Sequence, residues 1–236
     1  MSEIVTRDYR TAEVFRKYGI GYCCGGKWPV EMACEMQGVD AGILQEELKA
    51  AIRTVYVSNQ LDFSEWDIDF LTAYITNVHH QYLKKSLPVT MELISDSGKE
   101  HAKKFPYIAD LEKQFDLLVQ HLIPSMQREE EVLFPYIRQV AHAHKGKEPY
   151  AVLLVKTLRK PVENALFKGH ERVSDIILSV RKITSDYTVP PNVCTSHKVV
   201  LAKLKEIDND IMQHQYLEQS ILFPRAIAIE NEVLAL

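Results

Sequence analysis

Residues that interrupt helices are scarce in this chain and bunched together: nine glycines and ten prolines among 236 residues leave long stretches without a breaker. Such stretches suit helices better than short strands, so the expected fold class is all-α. Helices are predicted over residues 6–18, after Pro29, over 40–56, and then over 64–87, 90–101, 108–141, 151–183 and 194–230. Gly19 should stop the first, and Ser64, with Asp67 three residues on, reads as the N-cap of the stretch through Ile68, Leu71, Ile75, Val78 and Tyr82. Long helices joined by short connectors suggest an up-and-down four-helix bundle. The expected division is a small helical domain over 1–56, a linker over 57–63 and the bundle over 64–236.

Composition narrows the class of function. With 46% hydrophobic and 25% charged residues the chain should bury a real core, and a net charge of -4 with pI near 6.1 gives no global field for nucleic acid or an anionic membrane. No basic leader precedes an apolar stretch, and no apolar run approaches the roughly 18 to 20 residues that span a bilayer. A cytoplasmic location is expected. Four cysteines, Cys23, Cys24, Cys34 and Cys194, are too few and too unevenly spaced for a secreted disulfide scaffold and are expected to be thiols. Cys34 and Cys194 read as packing residues.

The chemistry is carried by histidine and glutamate. His214 and Glu218 are four apart, so on a helix they lie about 40° apart in azimuth and roughly 6 Å apart along the axis, within reach of one metal cluster. Taken alone, such a pair is more often a solvated surface pair than a metal site. Here an internal echo accompanies it: His121, Ser125 and Glu129 lead to Leu133-Phe134-Pro135, as His214 and Glu218 lead to Leu222-Phe223-Pro224. His170 falls mid-helix, and His79-His80 falls late in the bundle's first helix. Imidazole and carboxylate without a local thiolate fit iron or manganese better than structural zinc, and bundle interiors are where carboxylate-bridged pairs of ions are built. The Glu-x-x-His pairs of ferritin-like sites are absent at the helical positions required.

At this point the sequence resembles the iron-sulfur cluster repair di-iron proteins. Val14-Phe15-Arg16-Lys17-Tyr18-Gly19-Ile20 followed by Tyr22-Cys23-Cys24-Gly25-Gly26 is similar to their small N-terminal domain. Glu129-Glu130 before Val-Leu-Phe-Pro, the mid-helix His170, and His214 with Glu218 before Leu222-Phe223-Pro224-Arg225 are similar to their hemerythrin-like domain. The resemblance implies two irons, oxo-bridged, with Glu129 and Glu218 as bridging carboxylates and His80, His170 and His214 as terminal ligands. It selects His80 over His79, although a helical wheel sets His79 nearer the apolar stripe. One family histidine, four residues before Glu129, is replaced by Ser125. Three readings follow: an open coordination position, which is favoured; substitution by His121 through a kink at Pro124; or a weak or missing second iron.

The function implied is the repair of iron-sulfur clusters damaged by nitric oxide or oxidative stress, by handling nitric oxide or oxygen species or by donating iron. The partners would be damaged iron-sulfur proteins, with Cys23 and Cys24 as redox or relay thiols and the linker allowing a homodimer. Two rivals are a nitric oxide reductase and a hemerythrin-like carrier or sensor of oxygen or nitric oxide. For Cys23 and Cys24 the plain alternative is that of small apolar residues near a turn, and Glu130 and Glu131 read as a solvated acidic run. His101 is expected outside the metal's immediate ligands, and His142, His144 and His197 are expected in solvent.

Overall fold

The computed structural model describes residues 1–22, 29–52, 61–101 and 103–235, with the side chains of 100 and 159–170 outside that description. The described residues hold helices and no strand: α1 (Ser2–Arg7), α2 (Thr11–Lys17), α3 (Val30–Gln37), α4 (Ala41–Ile52), α5 (Ile68–Tyr74), α6 (Gln81–His101), α7 (Ile108–Arg128), α8 (Phe134–Lys145), α9 (Ala151–Ile183), α10 (Thr195–Tyr216) and α11 (Phe223–Leu234). Three π-helical segments, Ile75–His80, Glu129–Leu133 and Leu217–Leu222, join α5 to α6, α7 to α8 and α10 to α11. Three long rods result, and α9 is the fourth. The rods follow one another around the bundle: α6 packs on α7, α7 on α9, α9 on α11, and α10 returns to α6. No described helix is long and apolar enough to cross a membrane.

Local chemistry sets the ends. Gly19, at φ +67°, takes the left-handed conformation that stops α2, and Gly38 at φ +64° does the same for α3. The single helix expected over 6–18 is two, because Asp8 is extended (φ −148°) and its carboxylate holds Arg10 through its backbone N–H at 3.1 Å and its guanidinium at 2.6 Å. The N-cap of α5 is Asp67, accepting from the Asp69 amide at 2.9 Å; Ser64 lies instead in a short 3₁₀ turn, Phe63–Glu65, capped by Asp62. The break expected at Pro88 does not occur. The helix runs through it with Leu83, Leu87 and Ile94 fully buried on either side, so packing outweighs the lost amide. Of the expected linker only 61–63 are described.

Apolar spacing decides which faces turn inward. On α7, Leu111, Phe115, Leu118, Leu122 and Met126 form one stripe, each at most 3% exposed. The core is divided in two. One part gathers these residues with Leu83, Leu87, Ile94, Val173, Val180 and Leu204, and takes in Val5, Phe15 and Leu44 from the N-terminal helices. The other gathers Ile68, Leu71, Ile75, Phe134, Ile137, Val155, Leu222 and Val233. Along every rod the division falls at one level: between Ile75 and Leu83, between Met126 and Leu133, between Ile211 and Leu217, and between Val155 and Val173. The N-terminal helices are also fastened by polar contacts. Glu206 accepts hydrogen bonds from Tyr9 and, at 2.6 Å, from Tyr82, Lys203 pairs with Glu13 at 2.9 Å, and Ser2 meets Thr195 at 2.8 Å.

Candidate metal centre

The level that divides the core is polar. His80, Glu129, His214 and Glu218, all buried, bring one ligand atom each within 4.8 Å of one another. His80 Nε2 lies 3.0 Å from His214 Nε2 and 3.4 Å from Glu129 Oε2, and His214 Nε2 lies 3.1 Å from Glu218 Oε1 and 3.9 Å from Glu129 Oε2. Each of the three rods delivers its share at a π-helical segment: His80 closes the first, Glu129 opens the second and Glu218 lies in the third. A π turn widens the helix by one residue and is common at functional sites. Two of the three are followed by a feature legible in the chain. Pro135 and Pro224, in the Leu-Phe-Pro repeats, cannot donate to the carbonyls of Glu131 and Ser220, which is compatible with a wider turn one turn upstream. Ile75–His80 has no such proline.

Around the four donors the neighbours fix orientation. His80 Nδ1 meets Glu130 Oε1 at 2.8 Å, and Lys84 Nζ holds both oxygens of Glu130 at 2.8 and 2.7 Å. With Nδ1–H donated to that carboxylate, His80 turns the lone pair of Nε2 toward the cluster, the arrangement that orients and strengthens metal-binding imidazoles. Burial pushes His80 down to about 4, with His214 adding to the effect, which favours the neutral ring. Burial alone would raise Glu130, but its hydrogen bonds from Lys84 and His80 outweigh it and hold the carboxyl below its ordinary value. His79, 2% exposed, lies nearly parallel to the His214 ring at 6.0 Å, and its Nδ1 meets Asp210 at 3.0 Å. A cleft of about 190 Å³ lined by Thr72, Thr76, Asn77 and Arg138 reaches Glu130 and Phe134, the latter stacked on His80.

Of the residues picked out by sequence, His80, Glu129, His214 and Glu218 are brought together. His170 stands on α9 with its side chain outside the described residues, and Cys23 and Cys24 lie outside them altogether. Ser125 faces the site, its hydroxyl donating to Glu129 Oε1 at 2.9 Å. His121 is exposed, and α7 continues unbroken through Pro124, so no kink folds it inward. Both His79 and His80 are buried, yet only His80 joins the four donors. Glu130 is no solvated residue: it is the carboxylate behind His80. The faint signal for it was Lys84, one turn after His80. Nor is His197 in solvent; it is 1% exposed, with Nε2 2.6 Å from the Tyr107 hydroxyl.

The donor set fits a cation. Two buried carboxylates facing two imidazoles leave an excess of negative charge that a buried site tolerates only when it is neutralised. Oxygen and nitrogen donors without sulfur suit iron or manganese.

A four-helix bundle with this cluster defines a hemerythrin-like, cation-binding protein, and residues 73–157 match the hemerythrin HHE cation binding domain. Residues 1–52 match the ScdA_N family, a domain of unknown function (DUF542). The iron-sulfur cluster repair protein YtfE of Edwardsiella ictaluri is 28% identical over 227 residues, covering 96% of each chain. The proteins of the same name from Cronobacter sakazakii and Escherichia coli are each 27% identical over 231 residues, covering 98% of this chain and 97% of theirs. Over nearly its whole length the chain is therefore similar to the iron-sulfur cluster repair proteins, as its sequence resemblance implied.

Proposed function

We propose that the bundle holds two irons at this level, bridged by Glu129 and Glu218 with His80, His170 and His214 as terminal ligands, and that the protein serves the repair of damaged iron-sulfur clusters. The convergence of four buried His and Glu donors within 4.8 Å carries the reading, and the names of its relatives give the biological setting. Bound iron would supply positions open to nitric oxide or oxygen species, and iron itself for a damaged cluster. The chain's own part is to orient His80 through Glu130 and Lys84, to keep the donors dry between two apolar cores, and to offer Ser125 where a ligand would leave no room. The cleft ending at Glu130 and Phe134 gives small molecules an approach from the side of α5 and α8. The small domain over 1–56, with Cys23 and Cys24, is the part that meets the client or relays its ligand, in the cytoplasm.

Metal analysis of the purified chain tests this directly. Two irons per chain with the absorption of an oxo-bridged diferric pair are expected. A chain that takes up no iron overturns the reading, and a single iron overturns the bridging roles of Glu129 and Glu218.

A further inference from the structure

The far end of α6 carries a second group of reactive side chains. His101 ends α6, 21 residues beyond His80, so roughly 30 Å of helix separates it from the metal cluster. Its Nε2 lies 2.9 Å from Cys194 Sγ, and the Ser196 hydroxyl lies 3.2 Å from the same sulfur. Cys194 is half-buried, is not in a disulfide, and stands at the N-cap of α10, so the first peptide groups of that helix present their positive end to it. This differs from the packing role expected of the residue. Cys34 is the contrast: it is 2% exposed, and burial pushes its thiol up.

A half-open cleft of about 280 Å³ adjoins this group. Gly19, Ile20, Gly21 and Tyr22 form one wall, Leu93, Asp96 and Ser97 on α6 the other, and Ser196 links the cleft to Cys194. Ser97, 2% exposed, contributes to the cleft's wall, and among the described residues its buried Oγ has no hydrogen-bond partner. The cleft also has Arg16 and Asp96, their charged atoms 4.0 Å apart, with Arg16 paired to Glu92 as well. One cation beside one anion complements the ammonium and carboxylate of an amino acid.

We propose that Cys194 is a nucleophilic thiol with His101 as its base, and that it exchanges with small amino-acid disulfides admitted through this cleft. In the step, Sγ attacks one sulfur of the ligand while His101 Nε2 takes the thiol proton. The ligand's S–S bond breaks and a new one forms to Cys194. The other half leaves as a thiolate and receives the proton from His101. The oxidation level passes from one disulfide to the next, so no further oxidant is consumed. The site is independent of metal and would give the protein a covalent response to oxidised thiols.

Cystine is the probe, with hydroxyethyl disulfide as its uncharged counterpart and peptide-resolved mass spectrometry on the purified full chain as the readout. The mixed disulfide at Cys194 is expected to form at least about tenfold faster in the native chain than at the same cysteine in the urea-unfolded chain, and His101→Gln should remove most of that advantage. Cystine should outpace hydroxyethyl disulfide in the native chain and not in the unfolded one. A native rate at or below the unfolded rate overturns the proposal whether or not His101→Gln folds. Equal enhancement of both probes overturns the amino-acid class of the ligand.

Discussion

The rods α7–α8 and α10–α11 are two solutions to one problem. Aligned on Leu133-Phe134-Pro135 and Leu222-Phe223-Pro224, each places a buried glutamate six residues before its proline and opens a π-helical segment there. Each then turns a residue one helical turn earlier toward the same cluster. In one rod that residue is His214; in the other it is Ser125, which holds Glu129 by a hydrogen bond. A further turn back the rods part again: Asp210 supports His79, whereas His121 is exposed. The backbone device that delivers a carboxylate is therefore separable from the identity of the ligand beside it. At this level the α7–α8 rod has a hydroxyl where the α10–α11 rod has an imidazole, on the same backbone geometry.

Making the rods alike by removing the donor from the complete one should have the largest effect. His214→Ser leaves Glu218 fully buried and takes away the imidazole nearest both His80 and Glu218. Iron is expected to fall from the bundle to background, with at least about a hundredfold loss of affinity by competition with a chelator, while far-ultraviolet circular dichroism stays helical. Retained iron would mean that His214 is a packing residue and the comparison is empty.

The next effect tests orientation rather than ligation. Glu130→Gln keeps shape but takes the carboxylate from His80 Nδ1 and from Lys84. Loss of such a partner costs about 10 to 100-fold in metal affinity, and the expected outcome is within that range. Glu131→Gln, at the next position of the same π segment and bonded to Gln127 at 2.8 Å, should change nothing measurable.

The opposite exchange, Ser125→His, should repair the incomplete rod. The hydroxyl already sits 2.9 Å from Glu129, so an imidazole on the same Cβ points into the site. Iron is expected to bind about tenfold tighter, by chelator competition, with a changed absorption spectrum. An unchanged affinity and spectrum would show that position 125 faces no coordination position.

How much of this was legible beforehand depends on range. The all-helical class, the stop at Gly19 and the site glutamates could be read from spacing and from the Leu-Phe-Pro echo, because each is set within one or two turns of chain. The continuity through Pro88 could not, since burial of Leu83, Leu87 and Ile94 against other rods decides it. The choice of His80 over His79 comes from the family resemblance and not from local spacing. A regular wheel favours His79, but the π turn over Ile75–His80 buries both and directs only His80 into the donor cluster. The Cys194–His101 contact joins residues 93 apart in sequence and leaves no local trace.

The smallest effect concerns what holds the π turns open. Pro135 and Pro224 follow two of them, yet Ile75–His80 adopts the same form with no proline at the corresponding place. Packing must hold the third, with Ile75 fully buried on one core and His80 fully buried at the cluster. If packing suffices there, it suffices in the α10–α11 rod, where Leu217 and Leu222 are likewise fully buried. Pro224→Ala is then expected to change iron affinity by less than about threefold and stability by no more than ~1 kcal/mol, measured by chelator competition and urea unfolding. The restored amide would find a carbonyl one turn back without moving Glu218. A large loss of iron in Pro224→Ala, matched in Pro135→Ala, would instead show that the proline sets the register of each carboxylate. The α5–α6 rod would then need a different cause for its π turn.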